Sequence, residues 1–349
     1  MDIVEKMKRD WDRRAHQDAR FWIATDAYET PAAFAHSGQH DCEQLLAGLE
    51  PYLDRSWNVL EIGCGIGRLL KPLAPRFRYI CGVDVSPEMI LQSKNWLAGL
   101  VNVETFENTG VDLRRFGDNG FDCVFSYVAF QHMPKEVFAS YLPEINRVLK
   151  PQGLLKFQIF LGATHAPDLD DTLTLRVYDE RELSLKLEQA GFAILDTTYR
   201  YKHRINGVDC NDCFVLARAE RLVTQPLDLH PAELRERECP DRVSAAEIQM
   251  SMALVKSYLH HGNPAAAIKA LMPIVEQRSD HIDAWLMLGN LLTLENREQE
   301  AIAVTEDLLR HNPTCYKGHT LLMNLYLSTG QTEQAVRIQQ RLATLGEAD

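Results

Sequence analysis

Between residues 57 and 160 the chain alternates short, almost wholly apolar runs with longer amphipathic ones. WNVLEIG, YICGVDV, FDCVFSYVAF and LLKFQIF read as strands buried on both faces, and NVETFEN as a shorter, more polar strand. The segments between them predict helices. RLLKPLAPR is one, and SPEMILQSKNWLAGL is a second, with Ser86 as N-cap and Pro87 in its first position. A third ends in LPEINRVLKPQG. Strands alternating with helices predict an α/β fold, a parallel sheet covered by helices. Asp179–Gly191 adds one more helix, with Asp179 and Glu182 spaced as a capping box and Gly191 as its stop. FAILDTTYRY and CFVLARAE flank Asn206-Gly207, a hairpin signal, so the sheet is expected to finish antiparallel.

The last third has another period. A 34-residue repeat fits residues 248–346 without a gap. Ala267, Ala301 and Ala335 fall in one column, Leu254, Leu288 and Leu322 in a second, and Tyr258, Leu292 and Tyr326 in a third. Ile274, Leu308 and Leu342 make a fourth, and Gly262, Asn296 and Gly330 a turn column where a left-handed backbone is easiest. The alanine column implies two helices approaching closely. The middle copy, with Trp285, Leu288, Gly289, Leu292, Ala301, Leu308 and Pro313, resembles the tetratricopeptide consensus. That resemblance implies a C-terminal all-α tetratricopeptide solenoid of three stacked repeats over residues 245–349. Residues 221–244, with Pro226, Pro231 and Pro240, read as a linker, which leaves residues 1–220 as the first domain.

At the start, Val4, Met7, Trp11, Ala15, Ala19 and Trp22 recur near helical spacing. The basic residues Lys6, Lys8, Arg9, Arg13 and Arg14 are expected on the solvated face of that helix. The helix, within about the first 40 residues, has two readings: a lid over a site, or a helix packed on the domain surface.

Composition narrows the partners. With 37 basic against 49 acidic residues the net charge is −12, which argues against a general binder of nucleic-acid backbones. No apolar run approaches the roughly 20 residues of a membrane helix, and the charged start lacks a signal-peptide core. Eight cysteines are spread thinly, consistent with a reduced, cytoplasmic protein. Cys210-x-x-Cys213 lacks the two further ligands a zinc site needs, so no metal is expected.

The candidate chemistry starts at Glu61-Ile62-Gly63-Cys64-Gly65-Ile66-Gly67-Arg68, a Gly-rich turn between a strand and a helix. A dinucleotide fingerprint would place its third glycine at Arg68. The spacing E-x-G-x-G-x-G instead resembles the first motif of class I S-adenosylmethionine-dependent methyltransferases. Asp84 ending GVDV and the RVLKPQGLLKF stretch extend that resemblance over roughly residues 57–218. It implies a Rossmann-like seven-stranded methyltransferase sheet and S-adenosylmethionine as cofactor. It further implies that Glu61, Gly63, Cys64, Gly65 and Arg68 form the cofactor turn. Asp84 would then accept from both ribose hydroxyls, and Val85 and Met89 would flank the adenine. Gly110, Val111 and Asp112 would lie along the adenine edge, with Thr109 where an acid often stands. Tyr127 and Gln131 are further candidates for the cofactor pocket, with loop packing as the alternative.

Methyl transfer from a sulfonium needs alignment and exclusion of water more than it needs a base. His132, after the fourth strand, is the candidate general base; support of the loop is the alternative. Trp11, Trp22 and Tyr28 are candidates to contact the acceptor from the lid, and Gln158 from inside an apolar strand. The absence of N/D-P-P-Y after the fourth strand argues against enzymes that hold an amide or a nucleobase amine there. The acceptor expected is a small metabolite, methylated on oxygen or nitrogen, with the repeats dimerising the chain or recruiting a peptide or protein. The alternatives are a peptide or carrier-bound acceptor, or an adaptor that only binds the cofactor.

Overall fold

The computed structural model describes residues 2–163, 171–205, 207–220 and 243–345. The linker stretch 221–242 and Asn206 of the hairpin signal lie outside them. The chain divides into two compact units, Met1–Asp241 and Arg242–Asp349.

The first unit is built on a sheet of eight strands: β1 (Asn58–Ile62), β2 (Tyr79–Asp84), β3 (Val103–Glu107), β4 (Phe121–Ser126), β5 (Leu149–Gly162), β6 (Val177–Tyr178), β7 (Phe192–Ile205) and β8 (Val208–Ala219). Seven follow the order β3-β2-β1-β4-β5-β8-β7. The eighth is a correction to the seven expected: β6, two residues long, pairs in parallel with Phe160 and Leu161 near the end of β5. β1 to β5 run parallel, while β8 is antiparallel to both β5 and β7.

Helices α1 (Ile3–Ile23), α2 (Pro31–Leu46), α3 (Leu70–Leu73), α4 (Pro87–Trp96), α5 (Lys135–Val148) and α6 (Glu180–Gln189) cover the sheet. Leu60, Val124 and Phe157 pack with the start of α1, α5 and α6 on one face. Val59, Cys123 and Phe125 pack with α2, α3 and α4 on the other. Local rules set the boundaries. Ser86 Oγ accepts from Met89 N at 3.0 Å and starts α4, and Asp179 Oδ1 accepts from Arg181 N and Glu182 N to start α6. The helix expected over RLLKPLAPR shrinks to α3 and a 3-10 turn, Ala74–Arg76, because Pro75 has no N–H for a longer ladder.

α1 is not one straight rod. Asp18 leaves helical geometry (φ −164°, ψ 101°), and its Oδ1 accepts from Arg20 N and Phe21 N. The side chain thus caps a second short segment that carries Trp22 and Ile23.

The second unit is all helical: α7 (Ala245–His260), α8 (Pro264–Gln277), α9 (Ile282–Leu294), α10 (Glu298–His311), α11 (Tyr316–Ser328) and α12 (Thr332–Leu345). Ala267, Ala301 and Ala335 are all buried. Gly262, Asn296 and Gly330 all take positive φ, between 57° and 75°. Ala301→Leu forces extra volume between helices and is expected to cost about 1–3 kcal/mol. A lowered melting temperature of the helical signal would show this; unchanged melting would mean that the contact is loose.

Candidate functional site

The carboxyl ends of β1, β2 and β4 open onto one crevice of about 850 Å³, its mouth included. This is where an open α/β sheet binds ligands. Its floor is the turn after β1. Gly63 stands at φ +76°, and a Cβ there would meet the Ala129 Cβ at 2.3 Å. A Cβ on Gly65, at φ +52°, would meet Ile23 Cδ1 of α1 at 2.6 Å. Both positions therefore need glycine for conformation and for space. The chain after β4 is strained as well: Val128, β-branched, sits at φ +60° on the crevice wall.

Two carboxylates face this turn. Asp84 ends β2; its Oδ2 accepts from Gly65 N at 2.9 Å and its Oδ1 from Ser86 N at 3.0 Å. Each oxygen keeps a further lone pair. Burial raises the Asp84 pKa, against backbone hydrogen bonds that lower it. Glu61 is only 2% exposed. Burial pushes its carboxyl up to about 8, opposed by Arg68 and reinforced by Asp84. Its Oε2 is buried in the crevice wall with no hydrogen-bond partner among the described residues.

Arg68 is buried as well. Its Nη1 donates to Asp41 Oδ2 at 2.6 Å and to Ser37 Oγ at 3.2 Å, and its guanidinium lies 5.9 Å from the Tyr127 ring centre. Tyr127 stacks on Phe214 at 5.8 Å, and burial pushes its phenol up to about 12.

α1 closes the crevice with Met7, Trp11, Trp22 and Ile23. Here the expected solvated basic face is corrected. Lys6 is 4% exposed and Arg14 0%. Lys6 Nζ donates to Asp10 Oδ2 at 2.8 Å, and Thr172 Oγ1 donates to the same oxygen at 2.8 Å. Arg14 Nη1 donates to Thr172 Oγ1, and the guanidinium stacks 4.8 Å from Trp11 and 5.5 Å from Trp22. Asp12, on the other flank of α1, accepts from Ser86 Oγ and Glu88 N, capping the helix that follows Asp84. The helix is thus bolted at both sides of the crevice.

Of the residues singled out in the sequence, the wall contains Glu61, Gly63, Cys64, Gly65, Arg68, Asp84, Val85, Met89, Tyr127, His132, Trp11 and Trp22. Six others stand off it. Gly110 packs under α1 near Met7 and Val4. The Val111 side chain is in the core, and Asp112 is held by Arg114. The Gln131 Nε2 lies 3.3 Å from His132 Nε2. Tyr28 packs edge-on to Phe21. Gln158 Nε2 donates to Asp212 Oδ1 at 2.7 Å, while its Oε1 is buried with no hydrogen-bond partner among the described residues. The wall also takes residues that the motifs did not mark, among them Asn108, Tyr141 and Met133. Asn108 Nδ2 donates to the Tyr141 hydroxyl at 3.0 Å; its place just after β3 was the available signal.

His132 lies at 5.5 Å, edge-on, from Trp11, with Nδ1 3.0 Å from the Leu173 carbonyl oxygen. Burial and the neighbouring Arg14 push its pKa down to about 4. The near-neutral value that a general base would use is therefore absent.

Residues 59–153 match the model of a family described as a methyltransferase domain. The chain is 27% identical over 154 residues to an uncharacterized methyltransferase of Synechocystis sp. PCC 6803, which covers 39% of this chain and 67% of that protein. It is 31% identical over 149 residues to chondramide synthase of Chondromyces crocatus, 42% of this chain but 4% of the synthase. A solved S-adenosylmethionine-dependent methyltransferase of Methanosarcina mazei is similar at 20% identity with a TM-score of 0.41, covering 49% of this chain and 96% of that one. The chain carries a methyltransferase domain over the matched residues 59–153. No described helix is long and apolar enough to cross a membrane.

Proposed function

We propose that the chain methylates a small acceptor held in this crevice beneath α1. The observation that carries the reading is Glu61 Oε2, a buried carboxylate oxygen without a partner beside a glycine turn and Asp84. A cationic ligand satisfies that oxygen and draws the carboxyl into its ionised form, whereas a diphosphate would gain nothing from either carboxyl group. When bound, S-adenosylmethionine supplies a methyl group activated by positive sulfur. The chain's own residues do the rest. Asp84 accepts hydroxyl hydrogen bonds, Glu61 balances positive charge, and the turn lets the ligand approach the backbone. Trp11, Trp22 and Ile23 keep water out, which alignment-driven transfer requires.

Glu61 gives a test with a defined sign. In the free protein its carboxyl, at about 8, is mostly protonated at neutral pH. A cation stabilises the ionised form, so binding releases a proton. Affinity for S-adenosylmethionine should rise with pH from about 6 to 8 and level off above. Calorimetry in buffers of different ionisation enthalpy reads the released proton directly. Glu61→Gln should remove the pH dependence; a pH-dependent Glu61→Gln protein would refute this role.

The domain layout follows the same reading: a methyltransferase domain over 1–220, a linker over 221–244 and three tetratricopeptide repeats over 245–349. The three left-handed turn residues spaced 34 apart support the repeats. Their proposed role is dimerisation or recruitment of a peptide or protein partner. A scattering mass of a single chain at micromolar concentration would count against the homodimer.

A further inference from the structure

His132 has the surroundings of a hydrogen-bond acceptor, not of a proton store. The Leu173 carbonyl beside Nδ1 can only accept, so the ring proton sits on Nδ1 and the lone pair is left on Nε2. The described neighbour of Nε2 is the Gln131 amide, at a long 3.3 Å. A histidine that takes protons in catalysis is typically backed by a carboxylate on its far nitrogen. Here the backing is a carbonyl. The charged groups acting on the ring are Arg14 from α1, and Arg176 and Asp171 from the segment before β6; both arginines oppose an imidazolium. Arg176 is also tied to the His132 backbone, its Nη1 donating to the carbonyl at 2.7 Å.

We propose that His132 Nε2 accepts a hydrogen bond from the reacting nitrogen of a free-base amine, making this crevice an amine N-methylation site. The proposal rests on the methyltransferase reading above and narrows its acceptor. The amine lone pair forms the new N–C bond as the S–C bond breaks, with that electron pair left on sulfur. The product nitrogen keeps its proton as an ammonium and passes it to water afterwards. No protein base is needed. A hydroxyl nucleophile would have to lose its proton during the transfer, to an imidazole that the two guanidiniums keep from charging. The missing N/D-P-P-Y agrees: an amide or nucleobase nitrogen must be freed of conjugation, while a saturated amine already presents its lone pair. The flanking arginines also favour the neutral amine over its ammonium form, and Trp11, Trp22 and Tyr127 offer an aromatic wall to its carbon skeleton.

Three measurements test this. With histidine-labelled full-length protein, His132 is assigned by its loss in His132→Gln and followed by NMR. The expected spectrum is a neutral ring protonated on Nδ1 from pH 5.5 to 8.5. A midpoint between 6 and 7 overturns the proposal. Turnover is then compared between matched probes, tryptamine against tryptophol and phenethylamine against 2-phenylethanol. The amines should be methylated at least 100-fold faster; a faster alcohol overturns the proposal. Finally, His132→Gln, which retains an acceptor, should hold kcat within about tenfold while His132→Ala loses about 100-fold. Equal, large losses in both would restore the general base. Calorimetric binding of S-adenosylmethionine is read separately. Its failure would sink the methyltransferase reading whatever the imidazole does.

Discussion

Asp84→Ala should weaken S-adenosylmethionine binding by about 100-fold or more. Each hydrogen bond to a charged acceptor contributes about 1.5–3 kcal/mol, and this carboxylate has two oxygens to offer a ribose. The change acts twice. It removes the ligand's acceptor, and it frees Gly65 N, which Asp84 Oδ2 holds at 2.9 Å. The turn beneath the ligand loosens as its anchor disappears. The folded protein should melt slightly lower, because Gly65 N and Ser86 N lose their acceptor, offset in part by the removal of a carboxyl whose burial raises its pKa. Calorimetry with purified Asp84→Ala checks affinity, and a thermal scan checks folding. Retained affinity within threefold would show that the ligand sits elsewhere.

Arg14→Ala should be the most destabilising single change in the first unit. The side chain is fully buried, joins α1 to Thr172, and stacks on Trp11 and Trp22. Breaking a buried charge network by deleting one partner costs about 3–5 kcal/mol. In a domain of this size that is a fall of roughly 10 °C in Tm. The same change should weaken S-adenosylmethionine binding, since the crevice loses the support of both tryptophans. Acid should reproduce part of it. Neighbouring cations hold Asp10 below the usual carboxylate range despite its burial. Its contribution is complete above the unfolded value of about 4 and is lost as pH falls through the folded one. Differential scanning calorimetry from pH 7 down to 3, on native and Arg14→Ala protein, separates the two effects. A Tm within 1 °C of the native protein would mean that the network adds nothing.

The contrast between Arg14 and Asp84 shows where sequence reasoning runs out. Asp84 is legible because its position is local: it is the last residue of an apolar strand, followed by an N-cap and a helix. The same holds for Glu61 and the glycines around it. Arg14 lies among five basic residues between Lys6 and Arg14 of α1, and charge alone assigns all five to water. Two of them are buried because Asp10, Thr172 and the tryptophans meet them there, and Thr172 is 158 residues away from Arg14. Gln158 shows the opposite pattern. A polar side chain in an apolar strand pointed to a site, yet its partner is Asp212 on the neighbouring strand β8. The adenine-edge loop shows a third kind of miss. Its motif position was read correctly as a loop after β3, but the residue reaching the crevice is Asn108 rather than Asp112.

The chain by itself determined the elements, their alternation and the Gly-rich turn, since propensity, capping and hydrophobic period act over a few neighbouring residues. It also carried the 34-residue spacing of the second unit, because a repeated interface repeats its small residues. Only the tertiary structure decided which charges are buried, which way α1 kinks over the turn, and which groups surround the His132 ring. Those outcomes depend on desolvation and on partners brought together from distant segments, and neither quantity is written in the local sequence.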